Sequence, residues 1–153
     1  MKQFHNIVTT VEFKDNVVNL LTEYVQNTYE TPESEGVLMG KRLFDGSIII
    51  TDITKPQKSD RWGRSHFKKD GKIHQKISDK IWQNSGGYIM YLGEWHTHPE
   101  PFPSPSFIDL KGWRLNVYKQ KDKKTYIFLI VGTNSFKVWT YSRVHGLLKT
   151  SLK

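Results

Sequence analysis

Two histidines separated by one residue, His96 and His98, are the side chains of this sequence best placed to do chemistry. Side chains on an extended strand alternate between its two faces, so both imidazoles would point to the same side. A carboxylate, Asp109, follows at the predicted start of a helix. Two nitrogens and one oxygen, with a fourth position left for water, are the ligands of a catalytic zinc site. The pattern therefore predicts one Zn²⁺ bound by these three residues.

The elements that must position these ligands are predicted by the sequence around them. Residues 88–98 are expected to form a strand that Pro99 ends, since proline cannot donate to a sheet ladder. Further prolines at 101, 103 and 105 make the following connection stiff and extended. A helix then begins with Ser106 at its N-cap and Asp109 in its first turn. Its inward face would comprise Leu110, Trp113 and Val117.

The rest of the chain predicts alternating strands and helices. In chain order we expect a strand at 7–13, a helix at 15–29 with Asp15 as N-cap, a strand at 33–43, an Asp45-Gly46 turn, a strand at 47–54, a helix at 73–84 with Ile73, Ile77 and Ile81 on one face, and strands at 125–131 and 135–142. Residues 55–72 should form a long loop with one short strand around His66-Phe67, and the tail from Arg143 gives no clear signal. The order predicts the α/β class, with a mixed sheet flanked by helices.

Composition limits the class of protein further. At 153 residues the chain has the size of one domain, and five Trp, seven Tyr and eight Phe disfavour a disordered chain. The absence of cysteine excludes disulfides and thiolate metal ligands. The N-terminus has no apolar signal segment and no apolar run reaches membrane-spanning length. We therefore expect a cytoplasmic protein that is not inserted in a membrane.

The net charge of +8 is distributed unevenly. Residues 55–80 carry nine Lys or Arg against three Asp, and residues 111–124 carry six against one. The segment 81–110, which holds the histidine pair, is net negative. A basic surface can bind nucleic acid, an anionic protein, or nothing, and charge alone leaves these alternatives open.

The motif resembles that of a known enzyme family. His96-x-His98, then Ser106-x-x-Asp109, with Pro99 after the second histidine and Glu33-x-x-Gly36-x-x-x-Gly40 upstream, is similar to the signature of the JAMM (JAB1/MPN/Mov34) metalloproteases. The resemblance covers residues 1–153 as a single JAB/MPN domain and implies a cytidine-deaminase-like architecture. The sequence Gly93-Glu94-Trp95-His96-Thr97-His98-Pro99 most resembles that of small bacterial isopeptidases encoded in CBASS anti-phage operons.

This resemblance implies roles for individual residues. His96, His98 and Asp109 would hold zinc, which lowers the pKa of its water to about 7 and polarises the scissile carbonyl. Glu33, on the strand beside them, would act as general base and then acid, and Ser106 would donate to the oxyanion. The substrate would be a ubiquitin-like modifier or a conjugated protein with an extended C-terminal tail, which could add as a strand at a sheet edge. E1/E2-like conjugating enzymes would act beside it.

Several of these roles have competitors. Strand alternation puts Glu35 on the same face as Glu33, so either could be the base, although the glycine pattern favours Glu33. Ser106 and Asp109 also fit a helix-capping box. Glu94 could support a histidine ligand or form a salt bridge at the strand end. His5, His66, His74 and His145 have no partner at ligand spacing and are expected to be solvated or core residues.

Three other functions use the same fold. The chain could be a non-catalytic MPN scaffold, although the complete residue set argues against that. It could be a peptidase acting on sulfur-carrier proteins, which would use the same site. A DNA-associated RadC-like protein is a third alternative, suggested by the charge, but without a helical DNA-binding domain we expect no nucleic-acid partner.

Overall fold

The computed structural model describes residues 1–57, 60–62, 67–68 and 70–153. These form strands β1 (Lys2–His5), β2 (Thr10–Phe13), β3 (Glu35–Arg42), β4 (Ile48–Ile53), β5 (Arg61–Trp62), β6 (Phe67–Lys68), β7 (Met90–Thr97), β8 (Tyr126–Val131), β9 (Phe136–Ser142), β10 (Gly146–Lys149) and β11 (Ser151–Leu152), and helices α1 (Asp15–Thr22), α2 (Gly71–Asn84) and α3 (Phe107–Lys119). The predicted α/β class, a mixed sheet flanked by helices, is confirmed.

Nine of these strands form one curled sheet in the order β10-β9-β8-β7-β3-β4-β2-β1-β11. Its β2–β4 and β7–β8 pairs are parallel, and its other pairs are antiparallel. The strands at the two ends, β10 and β11, are separated in sequence by Thr150 alone, so the ends of the sheet meet. Thr150 N donates to Val138 O on β9, and Lys153 N donates to Gln3 O on β1. A small separate sheet pairs β5 with β6.

The sheet has an apolar cluster on each face. One cluster encloses α1, whose Val17 and Leu21 are fully buried against the curled sheet. The other lies under α3, where the Trp113 ring stacks on Phe128 with centroids 4.9 Å apart. Burying a large apolar side chain contributes roughly 1.5–3 kcal/mol, so these contacts hold both helices firmly on the sheet. The inward face predicted for α3 is confirmed.

The N-terminal part departs from prediction. The strand expected at 7–13 begins only at Thr10, because the Asn6 side chain accepts from Val8 N and Thr9 N and closes a turn. The helix expected at 15–29 ends at Thr22, and its N-cap is Lys14 rather than Asp15, which instead pairs with the N-terminal amine. The late start of the strand arises from a local turn, whereas the different N-cap accompanies a contact between Asp15 and the chain's first residue.

The middle of the chain mixes confirmation and correction. The Asp45-Gly46 turn is confirmed, with Gly46 at φ +87°. Helix α2 forms where expected, but its isoleucines are only partly buried and the buried residues are His74 and Ser78. Before it, the chain forms two short strands rather than one. His66, which was expected to be solvated or in the core, lies outside the described residues, as do several other residues of the basic 55–72 segment.

The sequence predicted that His74 is either solvated or in the core, and the structure places it in the core. Its Nδ1 is 2.7 Å from Thr54 Oγ1, and its Nε2 is 3.1 Å from a buried Asp60 oxygen. The same carboxylate accepts from the backbone N–H groups of Gln57 and Asp70. One buried pair therefore fastens both ends of the segment between β4 and α2.

The C-terminal part confirms the strands at 125–131 and 135–142 to within one residue at their starts. The tail, which gave no sequence signal, supplies β10 and β11. Among the residues that the structure describes, no helix is both long and apolar enough to cross a bilayer.

Candidate metal centre

Strand β7 carries the histidine pair at its carboxyl end. Gly93 has φ +149°, and a Cβ there would lie 1.7 Å from Ile127 O, so this glycine allows β7 and β8 to approach closely. The ladder continues beyond the strand through a bond from His98 N to Val131 O. His96 and His98 therefore keep the strand alternation and point to the α3 side, with ring centroids 4.7 Å apart.

Three donor atoms converge at this end of β7. His96 Nε2 and His98 Nε2 are 3.0 Å apart, and Asp109 Oδ2 lies 3.3 Å from the first and 3.2 Å from the second. Nitrogen and oxygen ligands bound to zinc at about 2.0 Å in a tetrahedron are about 3.3 Å from one another. The triangle of donors thus has the size of one face of a tetrahedral zinc site.

The electrostatics of the triangle favour a cation. Burial alone would raise the pKa of Asp109, but hydrogen bonds from His96 and His98 hold it well below its usual range. Burial alone would lower the pKa of His98, but Asp109 and Glu100 on its two sides raise it. The first shift keeps Asp109 ionised, and the second shows that positive charge is favoured on His98, between two carboxylates. A divalent cation supplies that charge, so the donor set fits zinc.

Glu100 supports the triangle from outside, and sequence reasoning missed it. Its Oε1 lies 2.9 Å from His98 Nδ1, so a neutral His98 donates from Nδ1 and directs the lone pair of Nε2 at the other donors. Carboxylates commonly orient histidine ligands in this way. The signal available was an acidic residue two positions after His98, beyond the proline that ends the strand. Glu94, which sequence reasoning considered for such a role, lies in the middle of β7 rather than at its end.

Ser106 and Asp109 form a reciprocal capping box at the start of α3. Ser106 Oγ accepts from Asp109 N at 3.1 Å, and Asp109 Oδ2 accepts from Ser106 N at 2.8 Å. The N-cap predicted at Ser106 is confirmed. The carboxylate oxygen used in this box is the one that faces both histidines.

Glu33 is placed at the site by its neighbour. Ser34 N donates to Thr97 Oγ1, and Thr97 N donates to Ser34 O, both at 2.9 Å. Since Thr97 lies between the two histidines, this pair brings Glu33 alongside them. Donor atoms of Glu33, His96 and His98 lie within 4.8 Å of one another. Glu33 precedes β3 rather than lying on it, so the predicted strand position is wrong, and Glu35 is opposite His96 in the β3–β7 pairing.

A groove of about 450 Å³ lies on the same face of the sheet, between α2 and α3. Its floor includes Val37, Tyr91 and Glu94, of which Glu94 is two residues from His96 on β7. Its walls include Gln75 of α2 and Asn116 of α3. A groove of this size, lined by polar and apolar side chains, can hold a short extended peptide segment.

Comparisons with known proteins identify the family. A family model described as prokaryotic homologs of the JAB domain matches residues 19–143. A protein from Escherichia coli named CD-NTase/cGAS isopeptidase is 37% identical over 139 residues, covering 91% of this chain and 85% of the relative. Proteins of the same name from Vibrio cholerae and Pseudomonas aeruginosa are 38% and 32% identical, over 79% and 85% of this chain and 75% and 82% of the relatives.

Solved structures agree on the fold. A solution structure of a Desulfitobacterium hafniense protein has a TM-score of 0.62 at 21% identity, covering 91% of this chain and 88% of that one. A second, from Salinibacter ruber, has a TM-score of 0.53 at 17% identity, covering 90% and 87%. The family match over most of the chain, with relatives above 30% identity, shows that the chain belongs to the prokaryotic homologs of the JAB domain.

Proposed function

We propose that this chain is a zinc-dependent isopeptidase that cleaves after the C-terminal residue of a conjugated protein. The observation that carries the proposal is the donor triangle of His96, His98 and Asp109, with Glu33 beside it. The name of the relatives, CD-NTase/cGAS isopeptidase, favours a CD-NTase/cGAS-type protein as the conjugated partner. A ubiquitin-like modifier is the other substrate of the same chemistry.

The three donors of the triangle would hold the zinc. When bound, zinc supplies Lewis-acid polarisation of the scissile carbonyl and lowers the pKa of a water to about 7. We assign Asp109 rather than Glu33 as the third ligand, because its Oδ2 is within 3.3 Å of both imidazole nitrogens. Glu100 would keep His98 in the tautomer that offers Nε2 to the metal.

Glu33 would move the proton that hydrolysis requires. Water adds to the carbonyl carbon, the bond from that carbon to the lysine nitrogen breaks, and a carboxylate and an amine are released. Glu33 takes a proton from the attacking water and delivers it to the leaving amine. Ser106 Oγ already accepts from Asp109 N, which leaves its O–H hydrogen able to donate to the oxyanion.

The tail of the substrate needs a path to the site. Strands β3 and β7, which flank the metal centre, each lie between two other strands of the main sheet. Strand β4 pairs with β3 from Leu38 to Arg42, so the strand order does not test the addition of the tail at a sheet edge, which stays a prediction. We infer that the tail lies in the groove between α2 and α3, which reaches Glu94 on the strand that carries His96.

The cellular setting follows from the substrate. An enzyme that removes conjugated proteins works in the compartment where they are formed, so we place it in the cytoplasm beside E1/E2-like conjugating enzymes. The resemblance to isopeptidases of CBASS operons makes anti-phage signalling the proposed context.

The test uses a CD-NTase/cGAS-type protein fused through its C-terminal residue to a fluorescent reporter. We expect about one zinc per chain, release of the reporter, and loss of release when a chelator removes the metal. Glu33→Ala should keep the zinc and lose cleavage, whereas the matched variant Glu35→Ala should keep both the zinc and cleavage. Cleavage that persists in demonstrably metal-free protein would refute the mechanism, and an inactive Glu35→Ala beside an active Glu33→Ala would move the base to Glu35.

A further inference from the structure

The outer face of α3 is unusually apolar for a surface helix. Its inner face packs on the sheet, yet Ile108, Gly112 and Leu115 follow at i, i+4 and i+7 on the opposite side. Ile108 is 80% exposed and Leu115 63% exposed, and the adjacent Phe107 is 81% exposed. Single exposed apolar residues are ordinary, but an apolar stripe on a helix that carries three exposed apolar side chains, beside a candidate active site, is typical of a binding surface.

Gly112 has no role in the fold that would explain it. A Cβ at this position would meet no atom of the described residues within 4 Å. Glycine in a helix interior costs about 1 kcal/mol relative to alanine, so folding alone would favour another residue. Its effect is to leave the helix backbone open to close approach from outside, between the side chains of Ile108 and Leu115.

The proline-rich connection before α3 presents one more apolar side chain next to this stripe in sequence. Thr133 N donates to Glu100 O at 2.8 Å, and Ser135 Oγ donates to Pro101 O at 3.0 Å, which ties the connection to the β8–β9 turn. Phe102 is nevertheless 68% exposed. A surface held in place before binding loses little conformational freedom when a partner docks.

The charges around the stripe indicate what can cover it. Lys111 and Arg114 lie on the exposed side of α3, and residues 111–124 carry six Lys or Arg against one Asp. Two copies of this chain meeting through α3 would bring these positive segments together, which is unfavourable. The complementary partner has an apolar centre with acidic residues around it.

We propose that the outer face of α3 docks the folded body of the protein whose C-terminal tail enters the metal centre. The face is continuous with the site, because Ser106 and Asp109 start the same helix. Every conjugate contains the protein that supplies the tail, whereas the protein that supplies the lysine can vary. A fixed docking surface on the enzyme therefore suits the protein that supplies the tail. The proposal rests on the proposed function, since it takes this partner to be the substrate.

The experiment compares two substrates of the zinc-loaded enzyme. One is the full CD-NTase/cGAS-type protein fused to a reporter, and the other is a peptide of its last ten or so residues fused to the same reporter. Leu115→Asp should raise KM for the full protein at least tenfold and change kcat/KM for the peptide less than twofold. Phe44→Asp, at an apolar residue of the β3–β4 turn that is even more exposed than Leu115, should leave both substrates as in wild type.

A second variant separates docking from stability. Gly112→Gln should raise the melting temperature, because glutamine is the better helix former, while raising KM for the full protein at least threefold. Lys111→Glu should weaken binding, and added salt should weaken it for the wild type. Equal losses on both substrates, or no loss on either, would overturn the proposal. So would a dimer in sedimentation that Leu115→Asp dissolves, because a second copy would then cover the face.

Binding of the CD-NTase/cGAS-type protein truncated before its tail, measured by calorimetry, needs no cleavage. If the wild-type chain cleaves neither substrate, the proposed function fails, and this titration still decides the docking surface. Binding that Leu115→Asp abolishes supports the docking face, and absence of binding to the wild type refutes it.

Discussion

Removing the Glu100 carboxylate should weaken zinc binding without unfolding the protein. Glu100 touches the metal centre through His98, whose Nδ1 lies 2.9 Å from its Oε1. In Glu100→Ala the imidazole loses the partner that holds its orientation and its tautomer. The lone pair of Nε2 is then directed at the other two donors for only part of the time.

The size of the effect can be worked from the contact. Loss of a residue that orients a ligand typically costs 10- to 100-fold in metal affinity. The Glu100 side chain is 49% exposed, so water takes over part of its role. We therefore expect the lower end, about tenfold, or about 1.4 kcal/mol. Glu100→Gln keeps an acceptor but loses the charge, and should cost about threefold.

Zinc affinity is measured by competition with a chromophoric chelator, and the metal-free variants are compared by urea unfolding. In the metal-free state Glu100→Ala should change the free energy of unfolding by less than about 0.5 kcal/mol, as for other exposed positions. Glu23→Ala, at an exposed carboxylate following α1, is the matched control for charge. Zinc affinity unchanged within twofold in Glu100→Ala would refute the role assigned to this residue.

Three further variants test other parts of the structure. Ser106→Ala should cost about 1 kcal/mol of unfolding free energy as a lost cap and about 10²-fold in kcat as a lost oxyanion donor, whereas Ser106→Thr should keep most of both. His74→Ala leaves the buried Asp60 carboxylate without its imidazole, so urea unfolding should show a loss of about 3 kcal/mol; less than about 1 would contradict a buried pair. Gly93→Ala should prevent a cooperative thermal transition, because its methyl group would overlap Ile127 O, and an unchanged melting temperature would contradict this.

The placement of the proposed zinc ligands could be predicted because it follows local rules. Strand alternation puts His96 and His98 on one face, and the N-cap position of Ser106 puts Asp109 in the first turn of α3. Both rules concern residues near in sequence, and the structure obeys them. The same holds for the Asp45-Gly46 turn, whose left-handed glycine is a property of two residues.

Features that depend on distant contacts could not be predicted in this way. Glu33 reaches the site because Ser34 pairs with Thr97, a contact across 63 residues that no spacing rule contains. The early end of α1 has a related cause. Gln26 lies within the predicted helix but beyond the end of α1. Its side chain is buried and accepts a hydrogen bond from the Thr97 hydroxyl at 2.9 Å. Thr97 thus organises the loop that carries the proposed base.

The α2 helix shows how a polar group can take a core position. Its isoleucine spacing predicted an apolar inward face, yet His74 is the most deeply buried residue of this helix. A histidine can occupy such a position only if both ring nitrogens have partners, and Thr54 and Asp60 provide them. These partners come from residues before the helix, so the helix sequence alone could not reveal them.

Capping and the proposed metal binding at the start of α3 use one geometry and are not alternatives. Asp109 Oδ2 accepts from Ser106 N and faces both imidazoles, so the bond that caps the helix also aims the carboxylate at the histidines. The positive end of the helix dipole adds to the histidines in favouring the ionised form. A donor held in this way needs little reordering when a cation arrives. The Ser-x-x-Asp spacing is therefore required by the site as well as by the helix, because only the third helical position returns a side chain to the N-cap.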